Sequence, residues 1–166
     1  MIGGSSNAGE VLAKLQAQVA RLSDFSVPLA QAGVVVRDAA VMRIKDQGGD
    51  QQWPPNKRGG HTGIVTGRMM SSIQVSPVTD NRVTVGTNLD YAKWFQEGTG
   101  IYAGHSAWTI KPKTKKALAF MVGGVKYVRR SVTMPGQPKR PFLLVTDTER
   151  GEIRDVFVRW LTGAPA

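Results

Sequence analysis

The residues best equipped for chemistry in this sequence are cations. Between Gly98 and Thr146 stand Lys111, Lys113, Lys115, Lys116, Lys126, Arg129, Arg130, Lys139 and Arg140. This block takes nine of the chain's 22 Lys and Arg and none of its 12 Asp and Glu, so it carries nearly all of the formal net charge of +10. A field this one-sided concentrates anions, and an anionic partner is expected: nucleic acid or an acidic protein face. The stretch Ile101-Tyr-Ala-Gly-His-Ser-Ala-Trp108 leads into the lysines and mixes aromatics with cations, a composition that stacks bases and holds phosphates. The competing reading is that Trp108 packs inward and the lysines form a solvated edge that resists strand-to-strand association.

Other chemistry finds little support. His61 and His105 lie in glycine-flanked loops, and neither has a second histidine or a carboxylate at ligand spacing, so both read as solvated. The carboxylates are scattered, apart from Asp147, Glu149 and Glu152, which have a helix-start explanation. Gly59-Gly-His-Thr-Gly63 and Gly98-Thr-Gly100 lack the P-loop pattern, and neither follows a strand and opens a helix as a dinucleotide loop must. There is no Gly-x-Ser-x-Gly elbow. The absence of cysteine excludes disulfides, thiolate metal sites and cysteine nucleophiles. No catalytic residue, metal ligand or cofactor is therefore expected, and a small hydrolase has no nucleophile–base arrangement behind it. The last helix is acidic at its start and offers no basic face to a major groove, which argues against specific base readout.

The elements that position these residues follow from periodicity. At 166 residues one domain is the default. We expect a flexible N-terminus over 1–9, a single α+β domain over 10–162 and a short tail over 163–166. Val11, Leu12, Leu15, Val19 and Leu22 recur at helical spacing and predict a helix over roughly 9–23 whose apolar stripe faces the core. Pro28 suits the first turn of a second helix ending at Gly48-Gly49. Its small residues, Ala32 and Gly33 among them, allow close approach to a sheet or another helix. Residues 48–66 and 98–108 read as long Gly/Pro-rich loops or arms. Trp53 either pins the first of these to its own core or serves as an interface hot spot.

Strands are expected around Ile73–Val75 and Val83–Val85, joined by a turn at Thr79-Asp-Asn81. A short helix from Asp90 to Gly98 presents Tyr91, Trp94 and Phe95. A strand over Trp108–Pro112 follows, then a hairpin of Leu118–Val122 and Val125–Val132 around Gly123-Gly124. Ile153, Val156, Phe157, Trp160 and Leu161 mark an amphipathic C-terminal helix. Clustered strands with tight turns predict an α+β fold: a mainly antiparallel sheet with helices packed on one face. Met1-Ile-Gly-Gly-Ser-Ser lacks the features of a signal peptide, no run approaches a membrane span, and a soluble protein of the cytoplasm or of an assembled particle is expected.

Four segments occur in a telling order: Trp53-Pro-Pro, Thr66-Gly-Arg-Met-Met-Ser-Ser-Ile73, Val85-Gly-Thr-Asn-Leu-Asp-Tyr-Ala-Lys-Trp-Phe-Gln-Glu-Gly-Thr-Gly100, and Met134-Pro-Gly-Gln-Pro-Lys-Arg-Pro-Phe-Leu143. Over roughly residues 30–162 this series resembles the tail-completion (virion morphogenesis) proteins of tailed bacteriophages and the related minor neck proteins. In those proteins a Trp-Pro loop precedes a Thr-Gly-x-Leu-x-x-Ser-Ile element, a Tyr-Ala segment comes next, and an Arg-Pro-Phe-Leu piece opens the last helix. Here a methionine stands where that leucine is usual.

The resemblance implies a structural virion protein of the tail or neck, assembled in the host cytoplasm and not an enzyme. It implies a homo-oligomeric ring, a hexamer, at the head–tail junction or the head-proximal end of the tail tube, with the tail-tube and head-connector proteins as partners. The genome passes through such a ring, which makes Lys111, Lys113, Lys115, Lys116, Lys126, Arg129 and Arg130 candidates for non-specific DNA contact in the lumen. Trp53, Arg58, Tyr91, Trp94, Arg140 and Phe142 are candidates for the subunit or ring interface, with Phe142 expected to pack inward. The two glycine-rich loops are expected to be ordered by neighbours in the ring. The alternative is a stand-alone basic nucleic-acid-binding domain, motivated by the charge block. No membrane partner is expected.

Overall fold

Two helices, α1 (Ser5–Ser23) and α2 (Ser26–Lys45), open the chain in the computed structural model, which describes residues 5–55, 61, 66–79 and 81–163. The break between them is made by Asp24, whose carboxylate accepts a 2.7 Å hydrogen bond from the Ser26 amide and satisfies one of the orphan donors at the start of α2. A one-turn helix α3 (Arg68–Ser71) precedes β1 (Ile73–Val75), which pairs with β2 (Val85–Thr87); an antiparallel bridge between Thr79 and Arg82 lies in their connection. Next come α4 (Asp90–Glu97), β3 (Trp108–Ile110), β4 (Leu118–Val122), β5 (Val125–Arg129), β6 (Val132–Met134) and α5 (Asp147–Thr162). The class is α+β, with the strands divided among three two-stranded pieces, β1–β2, β3–β6 and β4–β5.

The chain divides into two compact units. The first takes the described residues of 1–39, 74–86 and 145–166. In it Pro28, Ala32 and Val156 are buried, Phe25 and Phe157 meet with ring centroids 6.1 Å apart, and the Trp160 indole donates to the Arg21 carbonyl at 3.4 Å. Gly33 is here the small residue that lets a strand approach α2. A Cβ at this position would meet Val75 Cγ1 at 2.6 Å and Val83 Cγ2 at 2.9 Å. A capping box of Thr146 and Glu149 starts α5, the Thr146 amide donating to the Glu149 carboxylate at 2.6 Å.

The second unit takes the described residues of 40–73 and 87–144. Its core is Ala40, Ile44, Trp53, Met69, Ile73, Ala92 and Phe142.

Three expectations need correcting. The apolar stripe of α1 does not face a core: Val11, Leu12, Leu15, Val19 and Leu22 are each 50–62% exposed. Residues 7–20 of the helix are exposed along their whole length, because only its C-terminal end reaches α5. The helix also begins at Ser5 rather than near residue 9. Lastly, 125–132 is not one strand. It stops at Arg129, and Val132–Met134 turns away to pair antiparallel with β3, Trp108 opposite Met134 and Ile110 opposite Val132. Pro135 then ends β6, since it has no amide to donate.

Candidate functional site

The motifs singled out in the sequence converge on one another. Phe95 of α4 is the pivot. The Trp53 ring meets it edge-on at 5.2 Å, and Phe142 meets it edge-on at 6.1 Å. The Trp53 indole N–H donates to the Pro141 carbonyl at 3.2 Å, so this tryptophan pins its loop to its own chain. Arg140 lies over the Phe95 ring at 5.9 Å, and its Nε and Nη2 both donate to the Pro54 carbonyl, at 3.3 and 3.1 Å. The Arg140 amide donates to the Phe95 carbonyl at 3.0 Å. Burial lowers the pKa of the Arg140 guanidinium, the direction expected when a cation leaves water.

Gln96 supplies the other half of this clasp. Its Oε1 accepts from the Phe142 amide at 2.9 Å and the Leu143 amide at 3.1 Å, while its Nε2 donates to the Leu143 carbonyl at 3.0 Å. Arg43 of α2 donates to the carbonyls of Phe142 (3.3 Å) and Leu144 (2.8 Å). A proline-rich segment has few amides to offer a ladder, so side chains from α2 and α4 satisfy its backbone instead. Gln96 and Arg43 were not picked out from the sequence. The available signal was Gln96's place beside Phe95 inside a conspicuous motif.

The same segment orders the 98–108 loop, which was expected to depend on neighbouring subunits. The Thr99 amide donates to the Gln137 carbonyl and the Ile101 amide to the Pro135 carbonyl, both at 2.9 Å. Gly136 sits at φ 107°, where a Cβ would overlap the Thr99 carbonyl oxygen. Only glycine lets the two strands of this loop pair approach so closely.

The six candidate interface residues thus separate. Trp53, Arg140 and Phe142 are buried within their own chain, Phe142 to 1% exposure, so they build the clasp rather than an exposed interface. Tyr91 and Trp94 are exposed on α4. Arg58 lies outside the described residues.

The cations lie elsewhere. Lys111, Lys113, Lys115, Lys116, Lys126, Arg129 and Arg130 are all exposed, and none forms an ion pair among the described residues. They occupy the segment entering the β4–β5 hairpin, its second strand and the residue after it. Gly123 and Gly124 both have positive φ, 57° and 81°, as a tight two-residue turn requires. Phe120 and Tyr127 stack across the ribbon at 5.9 Å, and the Arg129 guanidinium lies 5.6 Å from the Tyr127 ring. Lys126 and Arg129 point to opposite faces by strand alternation, so each face of the ribbon carries a cation. Met121, Val122, Val125 and Val128 are exposed on it as well, Met121 to 69%. A lone two-stranded hairpin is marginal in water. Trp108, in β3, is also exposed, against the reading that it packs inward.

His61 and His105 are exposed, and no group of three or more potential metal ligands occurs among the described residues. No single helix is long and apolar enough to cross a membrane. No curated protein and no solved structure matches the chain. A family model does: residues 6–162 match the phage virion morphogenesis family.

Proposed function

The chain belongs to the phage virion morphogenesis family, a phage structural or assembly role, and on that premise we propose that it forms a ring at the head–tail junction or the head-proximal end of the tail tube. The observation that carries this reading is the family match over residues 6–162, nearly the whole chain. The ring is a homo-oligomer that caps the tube and receives the filled head. Its partners are the tail-tube and head-connector proteins, and its role is structural rather than catalytic. The exposed β4–β5 ribbon supports the reading, because it holds apolar and cationic side chains that its own chain leaves uncovered.

In this reading Lys111, Lys113, Lys115, Lys116, Lys126, Arg129 and Arg130 contact passing DNA through its phosphates, independently of sequence and with strong salt dependence. The test is the mass of the purified protein, alone and with its tail-tube and head-connector proteins, at low and moderate salt. A ring mass, or a ring that forms on tubes, is expected. A monomer that ignores both partners would overturn the proposal. If that monomer bound free DNA tightly at physiological salt, the exposed cations would instead mark a stand-alone nucleic-acid-binding domain.

A further inference from the structure

Where α1, α2 and α5 come together in the first unit they leave an open cleft of about 550 Å³, walled by Val34, Val35, Val156 and Trp160 and lined as well by Arg21 and Arg159. The Trp160 indole is held by its hydrogen bond to the Arg21 carbonyl, and the Arg21 guanidinium packs on Gly163 at the end of α5. A helix C-terminus suits cations, which accounts for their place there. It does not complete them. Neither guanidinium has a hydrogen bond or an ion pair among the described residues, whereas Arg37, Arg150 and Arg154 on the same helices each hold a carboxylate. The cleft is an apolar trough with two unused carboxylate forks. Its complement is an apolar side chain flanked by carboxylates.

The second unit presents that complement. On α4, Asp90, Trp94 and Glu97 follow one another at helical spacing, and Tyr91 stands one turn before Trp94. All four are exposed, Trp94 to 57%. Neither carboxylate has a side-chain hydrogen bond or an ion pair among the described residues. Lys93 is the one cation of this helix, so α4 offers a face that is aromatic and net acidic. The same chain therefore carries unpaired guanidiniums beside valines in one unit, and unpaired carboxylates beside an exposed tryptophan in the other.

We propose that the Arg21–Arg159 cleft of one copy of this chain receives α4 of a second copy, Trp94 lying against the valines while Asp90 and Glu97 meet the two guanidiniums. The contact joins two different patches. Each copy keeps a free cleft on one side and a free α4 on the other, and repetition builds a ring or an open series rather than a twofold dimer. The inference deepens the proposed ring: closure of the series rests on that reading, and the contact itself needs only two copies. DNA is the weaker occupant, because phosphates would use the guanidiniums and leave the valines and Trp160 without a partner.

Charge reversal in the full-length protein tests the contact by complementation. Arg159→Glu, and separately Asp90→Lys with Glu97→Lys, are each expected to weaken self-assembly roughly tenfold or more in sedimentation while circular dichroism stays unchanged, since these exposed side chains have no partner in the single chain. Mixed in equal amounts, the two variants are expected to assemble together, because each reversed patch then meets its opposite on the other variant. No recovery in the mixture would overturn the proposal. The chain has no cysteine, so a disulfide gives a second reading. Gln31→Cys, in the cleft, mixed with Lys93→Cys, on α4, is expected to cross-link under mild oxidation roughly tenfold or more faster than either variant alone. Equal rates, or no cross-link in the mixture, would overturn the contact. If rings form on tubes and the reversals change nothing, the contact fails and the ring reading stands. If the mixed cysteines cross-link selectively while the protein ignores tubes and connectors, the ring reading fails and the contact stands. If Arg159→Glu assembles normally but loses salt-dependent DNA binding, the guanidiniums serve phosphates and the proposal is overturned.

Discussion

The clasp and two exposed arms, helix α1 and the β4–β5 ribbon, solve opposite problems with similar residues. Around Phe95, each aromatic ring has a neighbour in the same chain and buried polar groups have named partners; Arg140, one of nine cations in its block, has its guanidinium bonded to the Pro54 carbonyl. On α1 and the β4–β5 ribbon, leucines, valines and a methionine stand in solvent, and the seven cations on and beside the ribbon form no ion pair among the described residues. The difference teaches that residue type does not separate a structural site from an interaction surface. What separates them is whether the chain itself supplies the complement. A conspicuous motif in this chain, 134–143, is a fastening, while the surfaces left for partners have less memorable sequences.

The comparison can be broken by substitution, starting at the clasp. Phe142→Ala is expected to cost about 3–5 kcal/mol of unfolding free energy in urea, as for other fully buried aromatics; a loss near zero would mean the clasp is not a core. Gly136→Ala comes next. It forces a side chain into left-handed backbone against the Thr99 carbonyl, and roughly 2 kcal/mol or more is expected, read as a lower urea midpoint. Arg140→Met keeps the bulk but leaves the Pro54 carbonyl without its donors, for a loss of about 1–3 kcal/mol. On the arms the same measurement should barely respond. Leu15→Ser and Met121→Ser are each expected to change single-chain stability by no more than about 0.5 kcal/mol, and to lower assembly instead. A large loss of stability from either would show the arm to be packed in the isolated chain.

The smallest effect lies at the base of α1. The Ser26 amide, donating to Asp24, lowers the pKa of that carboxyl in the folded state. A depressed folded pKa means the contribution is present above the unfolded value, about 3.9, and is lost as pH falls through the lower folded value. Asp24→Asn removes that contribution, so it should lower the neutral-pH melting temperature slightly and make its fall between pH 5 and pH 3 slightly smaller. An enlarged acid fall would contradict the hydrogen bond.

Much of this protein is written locally. The helical spacing of α1 and α5, the turn at Gly123-Gly124, the small residues of α2 and the charge block all follow from neighbours in sequence, because period, turn chemistry and charge are local properties. The order of four motifs carried the family. What only the tertiary structure decided is which surfaces are covered. The stripe of α1 reads the same whether it meets a core or a partner, since burial depends on where the rest of the chain goes. The break of β5 at Arg129 and the pairing of β6 with β3 join residues far apart in sequence, which no local pattern encodes. The division of the block's nine cations, Arg140 inside and eight outside, has the same origin. A guanidinium is buried where a carbonyl such as that of Pro54 waits for it, and that carbonyl is 86 residues away.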